Sequence, residues 1–476
     1  MTARSFVPPM VAAVALAACG GGAPSVPLQP FAVMPPSASQ GSPIEHVVII
    51  VQENRSFDNL FATFPGADGA THGLEKVRES GKWVDREVTL HQNALVMNTD
   101  IGHCRYSYLT AYDGGKMDGF NLEPKGVCPR GSSGGGPTIG TEAYQYVNPD
   151  QIQPYWDLAQ RYVLADHLFQ TQGSGSFTAH QDLIRGNTQI ETGKSLVDTP
   201  DGMPWGCDAS KTVRTDLLTN TLKFEEDAGP RPCTAQFPSS GSAYKTLRDL
   251  LDAKRITWKY YSPCFAASPH CNENCTQCAG ALLNAFDVIA PVRNGNQWGT
   301  NVSMPQTKIF ADISKRRLPA VSWVIPTNND SDHPGTPVDR GPSWVASIVN
   351  AIGKSAYWKS SAIVIVWDDW GGLYDHVKPP FLDEKGGLGF RVPMIVVSPY
   401  VRKGAIAHTQ YEFGSILKYV EQNWTLGSLD TTDQRSTSIV NVFDYKQKPR
   451  PFASIPTHYS EEFFRNEPPS SGGDPE

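Results

Sequence analysis

A short apolar segment near the start of the chain constrains the fold more than any other feature. Residues 44–51 are mostly apolar, and residues 47–51 are an unbroken run of valine and isoleucine. Such a β-branched run is typical of a strand that is buried on both faces in a parallel sheet. The run ends abruptly at the polar residues Gln52, Glu53 and Asn54. The chain must therefore supply further strands beside this one and helices that cover it.

Three more apolar runs repeat the pattern, at residues 319–325, 362–366 and 392–397, and each ends in polar or turn residues. Helix-like stretches occur at residues 343–352 and 414–422. Strands that alternate with helices predict an α/β fold, in which a parallel sheet is sandwiched by helices. Ligand sites in such folds lie at the carboxyl ends of the strands, so we expect the functional residues there.

Length and charge limit the possible classes of protein. The 476 residues are about three times the roughly 150 typical of one domain, which indicates a large domain with insertions or two domains. The net charge of −7 makes a nucleic-acid partner unexpected, because such proteins usually present a basic face. No apolar run reaches the roughly 18 residues that a membrane-spanning helix needs.

The first residues resemble a targeting segment. Arg4 precedes a mostly apolar stretch that ends in small residues before Cys19. This pattern is similar to a bacterial lipoprotein signal, in which Cys19 is lipidated, and an ordinary secretory signal cut near Ala18 is the alternative. Residues 20–43 are rich in Gly, Pro, Ser and Ala and carry no charge, which is typical of a flexible linker. We therefore predict a signal at residues 1–19 and an exported protein that is membrane-anchored, periplasmic or secreted.

Eight of the nine cysteines follow Cys19, and an even number in an exported chain favours disulfides. Short separations along the chain suggest the pairs Cys104–Cys128 and Cys207–Cys233. The other four lie in one short stretch: Cys264, Cys271, Cys275 and Cys278. Zinc binding is the alternative to disulfides in that stretch.

Two of the predicted strands end in adjacent oxygen ligands. Glu53 and Asn54 follow the first strand, and Asp368 and Asp369 follow the strand at residues 362–366. Hard divalent cations bind carboxylate and amide oxygens, and neighbouring acids repel one another unless a cation compensates. Each pair alone could be a turn or a helix cap. Together they predict a site for a divalent metal ion of unknown identity.

Several motifs resemble one known family. The longest is VVIIVQENRSFD at residues 47–58, followed by residues 115–120, 367–377, 390–393 and 398–399. These motifs closely resemble those of the bacterial phosphoesterase family, which contains phospholipases C and acid phosphatases, and the resemblance spans residues 44–426. It implies an alkaline-phosphatase-like fold, a phosphoesterase domain over residues 44–476, and phosphate-ester hydrolysis.

The resemblance also implies roles for single residues. Metal binding is implied for four residues: Glu53, Asn54, Asp368 and Asp369. The family nucleophile is a Ser or Thr in a tight turn, which residues 173–180 resemble. Ser176 aligns best with it, Thr178 is the alternative, and His180 stands where many members have Arg.

Histidines are the candidate proton donors, because a leaving alkoxide needs a proton and His is the natural acid near neutral pH. His103 and His333 lie in loops that resemble those where the family places active-site histidines. His376 follows Asp375, and we assign it only a bracing role for the loop that contains Asp368 and Asp369.

The sequence therefore predicts metal-dependent hydrolysis of phosphate esters, of the phospholipase C type, through a Ser nucleophile. Phospholipid is a candidate substrate, because the predicted lipid anchor holds the enzyme beside a membrane. An acid phosphatase that acts on phosphomonoesters is the alternative, and a metal-binding lipoprotein without catalysis is less favoured. A sulfatase is disfavoured, since no C/S-x-P-x-R motif surrounds Ser176.

Overall fold

The computed structural model describes residues 41–126, 128, 136–202, 205–231, 233, 244–263, 283–380 and 387–468. The predicted signal, nearly all of the predicted linker and the four clustered cysteines, Cys264, Cys271, Cys275 and Cys278, lie outside these residues.

The strands and helices alternate along much of the chain. The strands are β1 (His46–Gln52), β2 (His72–Glu79), β3 (Lys82–Thr89), β4 (His91–Asn93), β5 (Gln145–Val147), β6 (Val163–Ala165), β7 (Leu168–Phe169), β8 (Gln189–Glu191), β9 (Lys194–Val197), β10 (Asp216–Thr219), β11 (Phe224–Glu225), β12 (Trp258–Tyr261), β13 (Val302–Ser303), β14 (Val321–Val324), β15 (Ser361–Trp367), β16 (Met394–Val397), β17 (Ala405–Ala407) and β18 (Tyr411–Glu412). The α-helices are α1 (Phe57–Phe61), α2 (Arg105–Tyr112), α3 (Gln153–Arg161), α4 (Ser176–Arg185), α5 (Leu247–Ala253), α6 (Ala290–Arg293), α7 (Gln297–Thr300), α8 (Lys308–Ser314), α9 (Gly341–Gly353), α10 (Phe413–Trp424), α11 (Thr432–Arg435) and α12 (Glu461–Arg465).

An eight-stranded sheet forms the core, with the strand order β13-β12-β14-β1-β15-β16-β6-β17. Strand β1 lies near its centre and pairs in parallel with both β14 and β15. Every residue of β1 and β15 is buried, which is why both have a continuous apolar run rather than an alternating pattern, with polar residues only at their ends. The predicted strands at residues 44–51, 319–325 and 362–366 are therefore confirmed.

Strand β16 differs from the prediction in its direction. It pairs antiparallel with both β15 and β6. A strand buried on both faces has the same apolar pattern in either direction, so the run at residues 392–397 predicts a strand but not its orientation. The carboxyl end of β16 consequently lies at the edge of the sheet where β15 begins, and the Ser398 hydroxyl donates to the Ser361 carbonyl there (2.9 Å).

Helices cover both faces of this sheet. Ile49 of β1 is in register with Trp323 of β14 on one side and with Val364 of β15 on the other. The three side chains therefore point to the same face of the sheet. On that face the Trp323 indole donates to a carbonyl of α4 (3.1 Å). Trp367 is three residues beyond Val364 and so points to the other face, where its ring packs 4.9 Å from that of Tyr155 in α3. The predicted α/β class, with helices on either side of a mainly parallel sheet, is confirmed.

The predicted helices at residues 343–352 and 414–422 correspond to α9 and α10. Pro342 occupies the first turn of α9, where its missing N–H costs nothing. Nearly every residue of α9 is buried, because α3, α8 and α12 pack around it. The helix is therefore apolar on most of its circumference rather than along one stripe.

Two disulfides join loops of the described chain, Cys104–Cys128 and Cys207–Cys233. Both pairs are the ones that the short sequence separations predict. Within the described residues, no helix has the length and apolar character to cross a membrane.

Candidate active site

The two pairs of predicted metal ligands meet at the centre of the sheet. Strands β1 and β15 are parallel neighbours whose last residues, Gln52 and Trp367, lie side by side in register. The residues that follow each strand therefore emerge together, and the Asn54 backbone N–H donates to Asp368 Oδ1 (2.8 Å). Glu53, Asn54, Asp368 and Asp369 are all fully buried.

Two interlocked turns hold these ligands in place. Asn54 has a φ of 59°, in the left-handed region that asparagine tolerates better than most residues. Gly371 has a φ of +60°, and a Cβ there would lie 2.2 Å from the Asn54 carbonyl oxygen. The turn after β15 therefore requires glycine, because the turn after β1 packs directly against it.

The Asn54 side chain connects the groups of the site. Its Nδ2 lies 2.8 Å from His103 Nε2, 3.3 Å from Ser176 Oγ and 3.4 Å from Asp369 Oδ2. A carboxylate only accepts hydrogen bonds, so the amide nitrogen must face Asp369 and the amide oxygen must face away. That Asn54 oxygen is buried and accepts no hydrogen bond from any described residue. The same is true of Asp368 Oδ2. Buried oxygens of this kind fit a hard divalent cation.

His180 completes a group that could hold a metal ion. Its Nε2 lies 3.2 Å from Glu53 Oε1 and 3.7 Å from Asp368 Oδ2. Ligand atoms of these three buried residues all lie within 4.8 Å of one another. The sequence alone did not assign His180 a role. The available signal is its position four residues after Ser176, which places both side chains on one face of α4.

Electrostatics at this group favour a cation. Burial raises the pKa of the Asp368 carboxyl well above its ordinary value, the charge of Glu53 raises it further, and His180 opposes the rise. Two buried carboxyls so close together both ionise only when a positive charge compensates them. The side chains present therefore suit the divalent metal ion that the sequence predicts.

Ser176 is the first residue of α4, and its hydroxyl donates to Asp369 Oδ2 (3.0 Å). A helix N-terminus carries partial positive charge and backbone N–H groups that favour phosphate. The Thr178 hydroxyl instead donates to Ser174 Oγ (3.1 Å), which in turn donates to Asp198 (2.8 Å). Of the two candidate nucleophiles, Ser176 is therefore the one that faces the predicted metal ligands.

The two predicted histidines lie next to each other, and Asn54 Nδ2 contacts both His103 Nε2 and the Ser176 hydroxyl. His103 Nδ1 is 2.6 Å from the Ile101 carbonyl, and His333 Nδ1 is 2.5 Å from the Pro334 carbonyl. Each Nδ1 thus carries its proton toward a backbone oxygen and leaves Nε2 on the other side of the ring. The two rings are 5.7 Å apart. His376 lies in a different group, with its Nδ1 2.7 Å from Asp58 Oδ2.

A further buried acid, Glu123, adjoins His103 and was not singled out by the sequence. The Trp370 indole donates to Glu123 Oε1 (3.2 Å). Burial raises the pKa of Glu123 well above its ordinary value, and this outweighs the opposing effects of Trp370 and His103. Burial therefore favours the neutral form of Glu123 beside His103.

The chain is similar in sequence to a known family and to named phospholipases. The sequence matches the Phosphoesterase family over residues 44–427. It is 25% identical to Phospholipase C A of Mycobacterium tuberculosis (strain H37Rv), over 79% of this chain and 72% of that protein. It is 24% identical to Non-specific phospholipase C1 of Arabidopsis thaliana, over 87% of this chain and 73% of that protein.

Among solved structures, the chain is similar to a protein in the alkaline phosphatase superfamily from Vibrio parahaemolyticus. The TM-score is 0.35 and the identity 11%, over 83% of this chain and 68% of that one, which is too slight a likeness to carry an argument. The family match covers most of the chain and confirms the resemblance found in its motifs. The chain belongs to the Phosphoesterase family, whose members are phosphoric ester hydrolases.

Proposed function

We propose that this enzyme hydrolyses the phosphodiester bond of phospholipids in the manner of a phospholipase C, with Ser176 as its nucleophile. One observation carries the proposal: the Ser176 hydroxyl lies at the N-terminus of α4, 3.0 Å from the Asp369 carboxylate. The group of Glu53, His180 and Asp368 adjoins it. The names of the relatives support a phospholipid substrate rather than a phosphomonoester.

A divalent cation would be held by the predicted oxygen ligands together with His180. The ligands we propose are Glu53, Asn54, His180, Asp368 and Asp369. When bound, such a cation supplies positive charge that favours an ionised hydroxyl and neutralises phosphoryl oxygens.

The side chains of the protein account for the remaining steps. Asp369 Oδ2 holds the proton of the Ser176 hydroxyl and receives it as Ser176 Oγ bonds to phosphorus. The bond from phosphorus to the glycerol oxygen breaks, and the proposed proton donor to that oxygen is His103 or the neighbouring His333, in the doubly protonated form that carries a proton on Nε2 as well as on Nδ1. Water then attacks the phosphoserine and gives a proton to that histidine, the bond from phosphorus to Ser176 breaks, and Asp369 returns its proton to the serine. The products are diacylglycerol and the phosphorylated head group.

A substrate panel tests this function. Purified protein is given phosphatidylcholine vesicles or p-nitrophenyl phosphate, with excess chelator or with added divalent cation. We expect release of diacylglycerol and phosphocholine at a higher kcat/KM than monoester hydrolysis, loss of both activities in chelator, and recovery with the cation.

Each other outcome corrects a particular part of the proposal. Preference for the monoester would make the protein an acid phosphatase. Full activity in excess chelator would contradict the metal dependence. No turnover of either substrate, in protein that binds the cation, would leave a metal-binding protein without catalysis.

A further inference from the structure

We propose a second divalent metal site, at the outer end of the same sheet, formed by Asp166, His167 and His408. Asp166 and His167 directly follow β6, and His408 directly follows β17. These strands are parallel neighbours, and their last residues, Ala165 and Ala407, lie side by side in register. The residues that follow them therefore emerge together, as those after β1 and β15 do at the centre of the sheet.

The three side chains form a compact group. His167 Nδ1 lies 2.8 Å from Asp166 Oδ1, and His408 Nδ1 lies 2.8 Å from Asp166 Oδ2. Ligand atoms of all three residues lie within 4.8 Å of one another. Two imidazoles and one carboxylate are a ligand set used for divalent transition metals, with the remaining positions open. The Asp166 carboxylate is buried at the base of the group, and His408 is 61% exposed at its mouth, so an ion can enter from solvent.

The contacts of His167 are compatible with a cation at Nδ1. Its Nδ1 faces Asp166, and its Nε2 lies 3.3 Å from Asp68 Oδ2. A neutral imidazole has only one N–H, so one of its two nitrogens would present a lone pair to a carboxylate. A metal ion at Nδ1 resolves this conflict, because the proton then sits on Nε2 and is donated to Asp68. A carboxylate behind a ligating histidine is the usual outer partner of such sites.

The backbone fixes Asp68 in this position. Its N–H donates to Asp166 Oδ2 (2.9 Å), and its carbonyl accepts from Arg391 (2.7 Å). Asp68 also lies 3.4 Å from His376 Nε2, so it adds negative charge between two imidazoles. The proposed ion would therefore join the loops that follow β6 and β17 and, through His167, the loop that follows α1.

The experiment measures Zn²⁺ binding to the whole protein and locates the ion by anomalous scattering from crystals. We expect an anomalous peak between Asp166, His167 and His408, separate from any peak at Glu53. The variant His408→Ala should lose this peak and one equivalent of bound zinc, and Asp68→Asn should weaken that equivalent by roughly 10- to 100-fold. Turnover in the presence of the catalytic cation should be unchanged in both variants.

A matched control is His91→Ala, which removes an exposed histidine from β4 and should leave the zinc stoichiometry unchanged. Two results would overturn the proposal. One is the absence of a peak at Asp166 in zinc-soaked crystals. The other is a His167 ring that carries two protons at neutral pH in the presence of zinc, as measured by NMR. Neither result depends on whether the protein cleaves phospholipid, so this inference and the proposed function can fail separately.

Discussion

The central pair of strand ends, after β1 and β15, and the outer pair, after β6 and β17, use the same construction. In each, two parallel neighbours end side by side, and carboxylate or imidazole groups follow directly. The surroundings differ. The residues of the central pair are fully buried, whereas the outer pair includes His408, which is mostly exposed.

We infer that this difference in burial suits the central pair to catalysis and the outer pair to ion binding alone. The central pair receives the N-terminus of α4, which brings the Ser176 hydroxyl to Asp369. Burial there strengthens every charge interaction, because no bulk water screens it. The outer pair presents its imidazoles to solvent, which suits the entry of an ion but weakens electrostatic catalysis. In both proposals the strand ends supply the metal ligands, and only in the central pair does a helix add a proposed nucleophile.

The largest effect should come from removing the hydroxyl of the central pair. Ser176→Ala should lower kcat by roughly 10⁴- to 10⁶-fold, because a nucleophile and its activating groups act as one unit. It should also abolish a phosphoenzyme detectable by mass spectrometry. Thr178→Ala is the matched control and should keep most activity, since its hydroxyl faces Ser174. If Thr178→Ala is inactive while Ser176→Ala turns over, the nucleophile is Thr178.

The second largest effect should come from replacing Arg391, which lies between the central and outer pairs of strand ends. It donates to Asp375 (2.9 Å) and Asp58 (3.2 Å) and to the backbone carbonyl of Asp166 (2.9 Å). Arg391→Met should lower the free energy of unfolding by about 3–5 kcal/mol in urea titrations, because it leaves buried carboxylates unpaired. Arg465→Met is the control.

Arg465 is the partner of Glu461 in an ion pair on the surface of α12, and the two side chains are 34% and 38% exposed. Removing such a pair should cost at most about 1 kcal/mol. If the two arginine variants lost equal amounts of unfolding free energy, Arg391 would not couple the central and outer pairs of strand ends energetically.

Replacing His180, which is a proposed metal ligand of the central pair, should have a smaller effect. His180→Ala should weaken binding of the catalytic cation by roughly 10- to 100-fold. This is at least the loss of affinity that follows removal of a residue hydrogen-bonded to a metal ligand. Isothermal titration calorimetry in the His408→Ala background measures this binding alone, because that variant lacks the proposed second site. Unchanged affinity would exclude His180 from the metal site.

Replacing Cys19 should have the smallest effect on the central and outer pairs of strand ends. We propose that Cys19 carries the lipid anchor, so Cys19→Ser should move the protein from the membrane fraction to the soluble fraction. Turnover of p-nitrophenyl phosphate should not change, because the anchor is not part of the site. A variant that stays with the membrane would refute the lipoprotein prediction.

The sequence predicts the central part of the fold well and its outer part poorly. Strands β1, β14 and β15 are buried on both faces, so their apolar runs stand out in the sequence. Strands β6 and β17 have only three residues each, which is too short for a recognisable pattern. The group of Asp166, His167 and His408 was missed for the same reason.

Within the site, the residues that directly follow a long strand were the easiest to find. Glu53, Asn54, Asp368 and Asp369 were identified in this way, and Ser176, His103 and His333 through motifs. His180 was missed because residues 173–180 resemble a turn, so the helical spacing from Ser176 was not applied. Its contact with Glu53 joins two elements far apart in the chain, which sequence spacing does not show.

The left-handed backbone at Asn54 restricts which amino acids this position can accept. The φ of 59° excludes β-branched residues, and the amide must also reach His103, Ser176 and Asp369. Glycine meets only the first requirement, and aspartate places a second acceptor against Asp369. Saturation mutagenesis at codon 54, followed by selection for turnover, should therefore recover asparagine almost alone. Position 55, where arginine donates to four separate partners, should tolerate nearly as little, whereas the exposed position Gln160 in α3 should accept many residues.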